Sequence, residues 1–251
     1  AAKQSLGFNP LRYGDEAALL ARRLEKSYIA VGSRRAKNLE YYFEECNPDV
    51  VILDDGHQHL NLGRDLNIVL FDALLPLERY RVAPLGYMRE NFHALKDTNV
   101  VVIGRADQVE REKIEQLKEI LKPHVSNNSV FLEIAYKATG FFSPEYQKVY
   151  GIDQVKGQKV IGLAGIASPR SFFNMLRSYG AEVIDEVSFP DHHVFSHQDV
   201  IPLIEKAETE RAYIVTTEKD IVKMRRVTNS DRVIYLEIQV DVLSEIGRAH
   251  V

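Results

Sequence analysis

Two adjacent carboxylates, Asp54 and Asp55, followed by Gly56, Gln58 and His59, close the β-branched apolar run Val50–Leu53. Carboxylates at the end of a buried strand can hold Mg²⁺ beside nucleotide phosphates, because open α/β sheets gather ligands beyond the carboxyl ends of their strands. A turn alone would explain Asp and Gly, but not the amide and imidazole that follow at once. Gln58 and His59 either fix that loop by hydrogen bonds or touch a substrate. Arg35 opens a helix after a strand, and Arg89 follows a loop shaped by Pro84 and Gly86. Each could be solvated surface, but a planar guanidinium is also the bidentate donor that suits a phosphate group. Asp191, His192 and His193 form a second set of acid and histidines. Thr217–Glu218–Lys219–Asp220 reads as a capping box, and its place after the run Ala212–Thr216 also suits contact between Lys219 and a nucleotide.

The elements that must position these residues follow from periodicity and punctuation. Residues 1–14 read as a loop. Asp15 is an expected N-cap, with Glu16 in the first turn of an amphipathic helix carrying Ala18, Leu19, Arg22 and Arg23. Tyr28–Val31 reads as a strand, Ser33 as the cap of a helix through Cys46, and Asn47-Pro48 as its stop. Buried strands are expected at 50–53, 66–71 and 100–103, and a charged helix at 109–121 ended by Pro123. From Ser129 to Ile152 the alternation and turn residues suit an antiparallel hairpin. Strands at 159–163, 181–187, 211–215 and 233–238 then alternate with helices starting at Ser168-Pro169 and spanning 199–208, with Gly180 closing the first. Gly162 and Gly165 mark close packing. This predicts an α/β fold with a mostly parallel sheet flanked by helices and a second, smaller α/β lobe. The expected divisions are 1–125, a connecting region 126–155, a lobe 156–244, and a tail 245–251.

With 251 residues, 45% of them hydrophobic and 27% charged, the chain can build a substantial core. A net charge of −4 argues against nucleic acid as partner, and the single cysteine, Cys46, excludes an internal disulfide. No apolar run approaches the roughly 18 residues of a membrane span.

Seven short segments, in order, carry a resemblance: Gly14-Asp15-Glu16, VGSRR at 31–35, LDDGHQH at 53–59, APLGYMRE at 83–90, AGIASPRSFF at 164–173, FPDHHVF at 189–195 and TTEKDIVK at 216–223. Together they resemble the tetraacyldisaccharide 4'-kinase family of lipid A biosynthesis. The resemblance implies a P-loop kinase-like fold and transfer of the ATP γ-phosphate to the 4'-hydroxyl of an acylated glucosamine disaccharide phosphate. It implies Asp15 as general base with His192 as its partner, Asp54, Asp55 and Glu16 around Mg²⁺, Arg35, Gln58, His59 and Arg89 on the acceptor, and Lys219 on the nucleotide. A monomer at the cytoplasmic face of the inner membrane is expected, held peripherally by a segment N-terminal to these residues.

One family feature is missing: no G-x-x-x-x-G-K-[ST] loop, the usual backbone cradle for ATP phosphates, occurs in the sequence. The expectation is a fragment without ATP-dependent activity of its own. Glu245–Val251, EIGRAHV, reads as an in-frame translation of a sequencing adapter and is expected to be non-native. Two other functions fit parts of the pattern. A metal-dependent phosphoesterase could use Asp191-His192-His193 with Asp54-Asp55, although its early Asp-x-Asp motif is absent. A non-catalytic binding module derived from a kinase is the other.

Overall fold

The computed structural model describes residues 10–24 and 26–243. Residues 1–9 of the expected loop and the tail 245–251 lie outside them. In chain order the helices are α1 (Pro10–Tyr13), α2 (Asp15–Arg23), α3 (Arg35–Cys46), α4 (Arg111–Leu121), α5 (Pro169–Ser178), α6 (His197–Glu210) and α7 (Glu218–Met224). The strands are β1 (Ile68–Asp72), β2 (Val100–Gly104), β3 (Val130–Phe142), β4 (Lys148–Tyr150), β5 (Lys159–Ala164), β6 (Glu182–Ser188), β7 (Tyr213–Thr217) and β8 (Val233–Val242). The described residues form two compact units, those up to 49 with 138–238, and 50–137 with those from 239 on. Those borders differ from the linear division at 125 and 155, because residues before 50 pack against elements more than a hundred positions later.

In the first unit β5 is central, paired in parallel with β6 on one side and β7 on the other, and β7 pairs in parallel with β8. Alternation along β5 feeds two cores. Val160 and Ala164 pack with Phe172, Phe173 and Leu176 of α5, while Ile161 and Leu163 pack with Val200 and Ala207 of α6 and Ile221 and Met224 of α7. Gly162 faces α5, where a β-carbon would stand 2.7 Å from the Phe173 ring; the close packing expected there is real. Pro169 opens α5 directly after Ser168, and Gly180, at φ +83°, follows its end. The expected hairpin is present as β3 and β4, antiparallel with Phe141 opposite Tyr150.

The second unit pairs β1, β2 and the first residues of β3 in parallel. Val101 and Ile103 of β2 are fully buried against Ile114, Leu117 and Leu121, the inward stripe of α4. Glu133 of β3 is buried as well, held by Lys118 Nζ at 2.5 Å and Arg111 Nη1 at 2.6 Å.

Several local expectations change. Residues 50–53 form no strand, and Ile52 is 89% exposed; residues 28–31 likewise form none. A strand needs a neighbour to take up its N–H and C=O groups, and neither run has strand pairing among the described residues, so β propensity alone does not suffice. Asp15 is the first residue of α2 rather than its cap, which is Gly14 at φ +89°. Helix α3 follows Arg34, not Ser33, ends at left-handed Asn47, and fully buries none of its residues. Pro10–Tyr13 is a single helical turn inside the expected loop.

Candidate active site

The carboxyl ends of β5 and β7 in the first unit fix the site's foundation. Thr217 ends β7 and caps α7, its hydroxyl accepting from the Asp220 N–H at 3.1 Å and donating to Asp220 Oδ2 at 2.8 Å. The same Oδ2 accepts from the Gly165 N–H at 2.8 Å, just past β5. A β-carbon on Gly165 would lie 3.2 Å from Asp220 Oδ1, tighter than ordinary van der Waals contact. The expected capping pattern of Thr217 and Asp220 is therefore present, with its carboxylate also tied to a second strand end. One turn on, Lys223 Nζ stands 2.9 Å from Asp220 Oδ1.

Helix α2 lies along α7 and is joined to it by opposite charges at both ends. Asp15 Oδ2 is 3.5 Å from Lys223 Nζ, and Glu16 Oε1 is 3.3 Å from Lys219 Nζ. At the far end Arg22 and Arg23 both grip the buried Glu218, Arg23 Nε at 2.6 Å, and Arg22 also donates to the Tyr235 hydroxyl at 2.8 Å. The Arg22 guanidinium lies over the Tyr146 ring, 4.1 Å from its centre. Two helices holding each other this way present Asp15 in one place.

The loop after β6 brings His192 to Asp15. His192 adopts φ +60°, a left-handed conformation uncommon outside glycine, and its own N–H donates to Asp191 Oδ1 at 3.0 Å. His193 anchors the turn, stacked on Phe189 at 4.4 Å, edge-on to Phe195, with Nε2 3.3 Å from Asp199 Oδ2. Asp199 belongs to the Ser196 capping box that opens α6. Of the two histidines read as a pair, one is scaffold and the other is presented. His192 Nδ1 stands 3.3 Å from Asp15 Oδ2, and its Nε2 is 3.5 Å from Lys219 Nζ. Nδ1 faces a carboxylate, and Nε2 faces the Lys219 ammonium with Asp191 Oδ2 at 3.7 Å, so a neutral ring with its proton on Nδ1 suits the nearest neighbour on each side.

Asp15 is the buried member, 9% exposed at its side chain, and His192 the open one, 59% exposed. Burial pushes the Asp15 carboxyl upward, but the charges of Lys219 and Lys223, with the neighbouring His192 and the Glu16 N–H, outweigh it and hold the group below the usual carboxylate range. Burial lowers Lys219, and the anions Asp15, Glu16 and Asp191 reverse this, leaving it above the ordinary lysine value. Asp15 is thus a fixed anion at neutral pH, able to accept a proton or to orient the imidazole. Arg35, also in this unit, opens α3 and turns its guanidinium back onto the Gly32 carbonyl.

In the second unit Asp54, Asp55 and Gly56 form a tight turn, with Asp55 at φ +52°. Arg64 holds the turn through the Gly56 carbonyl at 2.5 Å, and His57 Nε2 lies 3.1 Å from the Ala94 carbonyl. Arg89 reaches Asp55 Oδ2 at 2.6 Å and Gln58 Oε1 at 3.4 Å, so the structure gathers Asp55, Gln58 and Arg89. His59 is half-buried, its N–H bonded to the Gly56 carbonyl at 3.0 Å. Gly86 makes the Arg89 loop possible, because a β-carbon there would collide with the Arg79 and Arg81 carbonyls. Among the described residues no group of three or more His, Cys, Asp or Glu stands placed to hold a metal ion. Mg²⁺ is commonly held by one or two carboxylates plus waters and substrate phosphates, and the exposed Asp54 and Asp55 fit that donor chemistry.

The sequence profile of the tetraacyldisaccharide-1-P 4'-kinase family, LpxK, matches residues 2–249. The chain belongs to this family. Tetraacyldisaccharide 4'-kinase of Halothermothrix orenii is 37% identical over 222 residues, covering 85% of this chain and 58% of that protein. The Bdellovibrio bacteriovorus protein of the same name is 31% identical over 241 residues, 95% of this chain and 70% of its own length. A crystal structure of LpxK from Aquifex aeolicus in complex with ATP matches with a TM-score of 0.70 and 26% identity, covering 94% of this chain and 67% of that one. The mostly parallel α/β architecture is that family's. The chain spans little more than half the length of the Halothermothrix relative.

Each of these relatives is named a 4'-kinase, not a phosphoesterase. Sequence reasoning passed over Arg22, Arg23, Glu218, Asp220 and Lys223 as site-building residues. The available signal was a lysine and an aspartate three positions apart inside TTEKDIVK, alternating with Ile221 and Met224, which a solvent-facing helix would not require.

Proposed function

We propose that the protein of this sequence transfers the γ-phosphate of ATP to the 4'-hydroxyl of tetraacyldisaccharide 1-phosphate in lipid A biosynthesis. The observation that carries this reading is the 3.3 Å contact of Asp15, on a helix ion-paired to α7, with His192 of the loop after β6, flanked by Lys219, in a chain of the LpxK family. Phosphoryl transfer asks a protein chiefly for positioning and electrostatics, plus one group to take the hydroxyl proton as attack proceeds. Asp15, ionised at neutral pH, takes that proton, and the Nδ1–H of His192 holds its carboxylate in attack geometry. A weak base suffices, since the loose transition state releases the proton late. Lys219 supplies positive charge for nucleotide phosphate. Arg35, Arg89, Gln58 and His59 serve the acceptor, Arg89 exchanging its bond to Asp55 for a phosphate. Asp54 and Asp55 would hold Mg²⁺, which would supply charge neutralisation at the ATP phosphates; Glu16, here paired with Lys219, is the further carboxylate that the family resemblance assigns to the metal.

The acceptor carries acyl chains, which supports work at the cytoplasmic face of the inner membrane, as a monomer held peripherally. Among the described residues no helix is long and apolar enough to cross a membrane. Because the G-x-x-x-x-G-K-[ST] cradle is absent, the 251 residues alone are expected to show no ATP-dependent transfer. The deciding assay uses a chimera in which this sequence replaces the matching 222 residues of the Halothermothrix orenii relative. Labelled ATP and tetraacyldisaccharide 1-phosphate should yield the 4'-phosphate; a folded chimera that binds ATP but forms no product counts against the reading. Flotation of the chimera with anionic phospholipid vesicles tests the membrane assignment, and light scattering the monomer.

A further inference from the structure

Lysine is seldom buried unless paired, yet Lys223 is 8% exposed on a helix whose adjoining inward residues, Ile221 and Met224, are apolar. Its ammonium faces Asp220 Oδ1 at 2.9 Å, Asp15 Oδ2 at 3.5 Å and the Phe195 ring centre at 5.4 Å. Neither Lys223 Nζ nor Asp220 Oδ1 gains an aligned hydrogen bond from their closeness. The pair is held as charge, not as directed donor and acceptor.

Asp220 does not need α2 for its own sake. Its other oxygen is filled by the Gly165 N–H and the Thr217 hydroxyl, which pin it to the ends of β5 and β7. An ammonium on a four-carbon stem is ordinarily mobile, and burial against an immobile anion removes that freedom. Lys223 is therefore a fixed cation below Asp15. The Asp15 carboxylate has Oδ1 on the Glu16 N–H at 3.0 Å, while Oδ2 sits between Lys223 and His192. Lys219, Glu16 and Asp191 complete the charges around it. With Lys223 on one side and the Glu16 N–H on the other, the carboxylate keeps the orientation in which Oδ2 meets Nδ1.

We propose that Lys223, fixed by Asp220, is a positioning residue that sets the Asp15 carboxylate against His192 and so keeps His192 in its Nδ1–H tautomer. The proposal deepens the kinase reading and rests on its assignment of Asp15 and His192 as the reacting pair. Lys223 touches no reacting atom; it acts through Asp15.

The test reads the His192 ring nitrogens by long-range ¹⁵N–¹H NMR in the 251-residue chain, without ATP or acceptor, for Lys223→Met, Lys223→Arg and Lys223→Met/Asp220→Asn. The double variant removes the buried charge imbalance that could unfold the single one. The unsubstituted chain should show one tautomer, Lys223→Arg should keep it, and both methionine variants should show an exchange average of two. In the chimera the double variant should recover the melting temperature yet lower kcat about 10- to 100-fold, with ATP KM within about 2-fold, as expected when a reacting group is misplaced. A double variant with the unsubstituted His192 pattern and kcat would overturn the proposal, reducing Lys223 to a partner of Asp220. So would failure of all three variants to fold, which would assign Lys223 to the fold. Spectra of the 251-residue chain behaving as expected, beside a chimera that transfers no phosphate, would instead count against the kinase reading alone.

Discussion

Asp15 Oδ2 and His192 Nδ1 stand 3.3 Å apart although 177 positions separate the two residues in the chain. The contact joins the first turn of α2 to a turn in which the backbone itself is unusual, and each side is braced separately: Asp15 by Lys223 and the Glu16 N–H, His192 by the neighbouring His193, which stacks on Phe189 and lies 3.3 Å from Asp199 Oδ2. A short contact between independently braced groups is a preorganised pair, which is what a proton-accepting dyad requires.

In the chimera, Asp15→Asn and His192→Ala should each lower kcat by ~10²-fold or more with ATP KM little changed. The double variant should be no worse than the poorer single, because the two residues act as a unit. Steady-state kinetics decide it. Near-normal kcat in Asp15→Asn, with only a lowered melting temperature, would make Asp15 a structural residue of α2.

Glu218→Gln should destabilise the chain by about 2–3 kcal/mol, less than a fully enclosed pair because Arg23 is a third exposed. The neutral amide leaves two guanidinium groups without their shared anion. Urea unfolding gives the size. Hydrogen exchange gives the place: amides of α2 should lose protection before those of β5 and β7.

Stability of the second unit should fall in acid through Glu133. Burial pushes its carboxyl up, but hydrogen bonds from Lys118 and Arg111 and their charges win, so the folded value lies below the ordinary 4.5. A depressed folded pKa contributes stability that is present above the unfolded value and is lost as pH falls through the folded one. Glu133→Gln should therefore cost about 1 kcal/mol at pH 7, reduced by the exposure of Arg111, and the gap should close below pH ~4. A gap that persists unchanged in chemical denaturation at pH 2.5 would show that the loss is steric.

Gly86→Ala should displace the loop that presents Arg89, since the added carbon would meet two backbone carbonyls. Overpacking of this kind costs about 1–3 kcal/mol. Gly63→Ala, with nothing within 4 Å of the added carbon, is the control and should leave stability nearly unchanged. In the chimera Gly86→Ala should raise the acceptor KM with ATP KM unaffected; equal effects on both would remove Arg89 from acceptor binding.

Periodicity and punctuation alone located β2, β5, β7 and α4 to α6 within a residue or two, because each buries a stripe or a run whose spacing is written locally. The family resemblance, not periodicity, singled out Asp15 and His192 as a pair, while residue chemistry beside the apolar runs and turns marked Asp55, Gln58 and Arg89 as candidates. What periodicity could not supply is partnership. Residues 50–53 have strand composition and no pairing among the described residues, and a strand exists only through its neighbour. Asp15 looked like a cap because local rules score the next three residues, while its partners, Lys223 and His192, lie about two hundred positions away. Lys223 itself reads as surface in any single sequence, because lysine is normally solvated. Only tertiary structure, by burying that ammonium between Asp220 and Asp15, turned it from a helix charge into part of the site, because burial removes the water that would otherwise screen it.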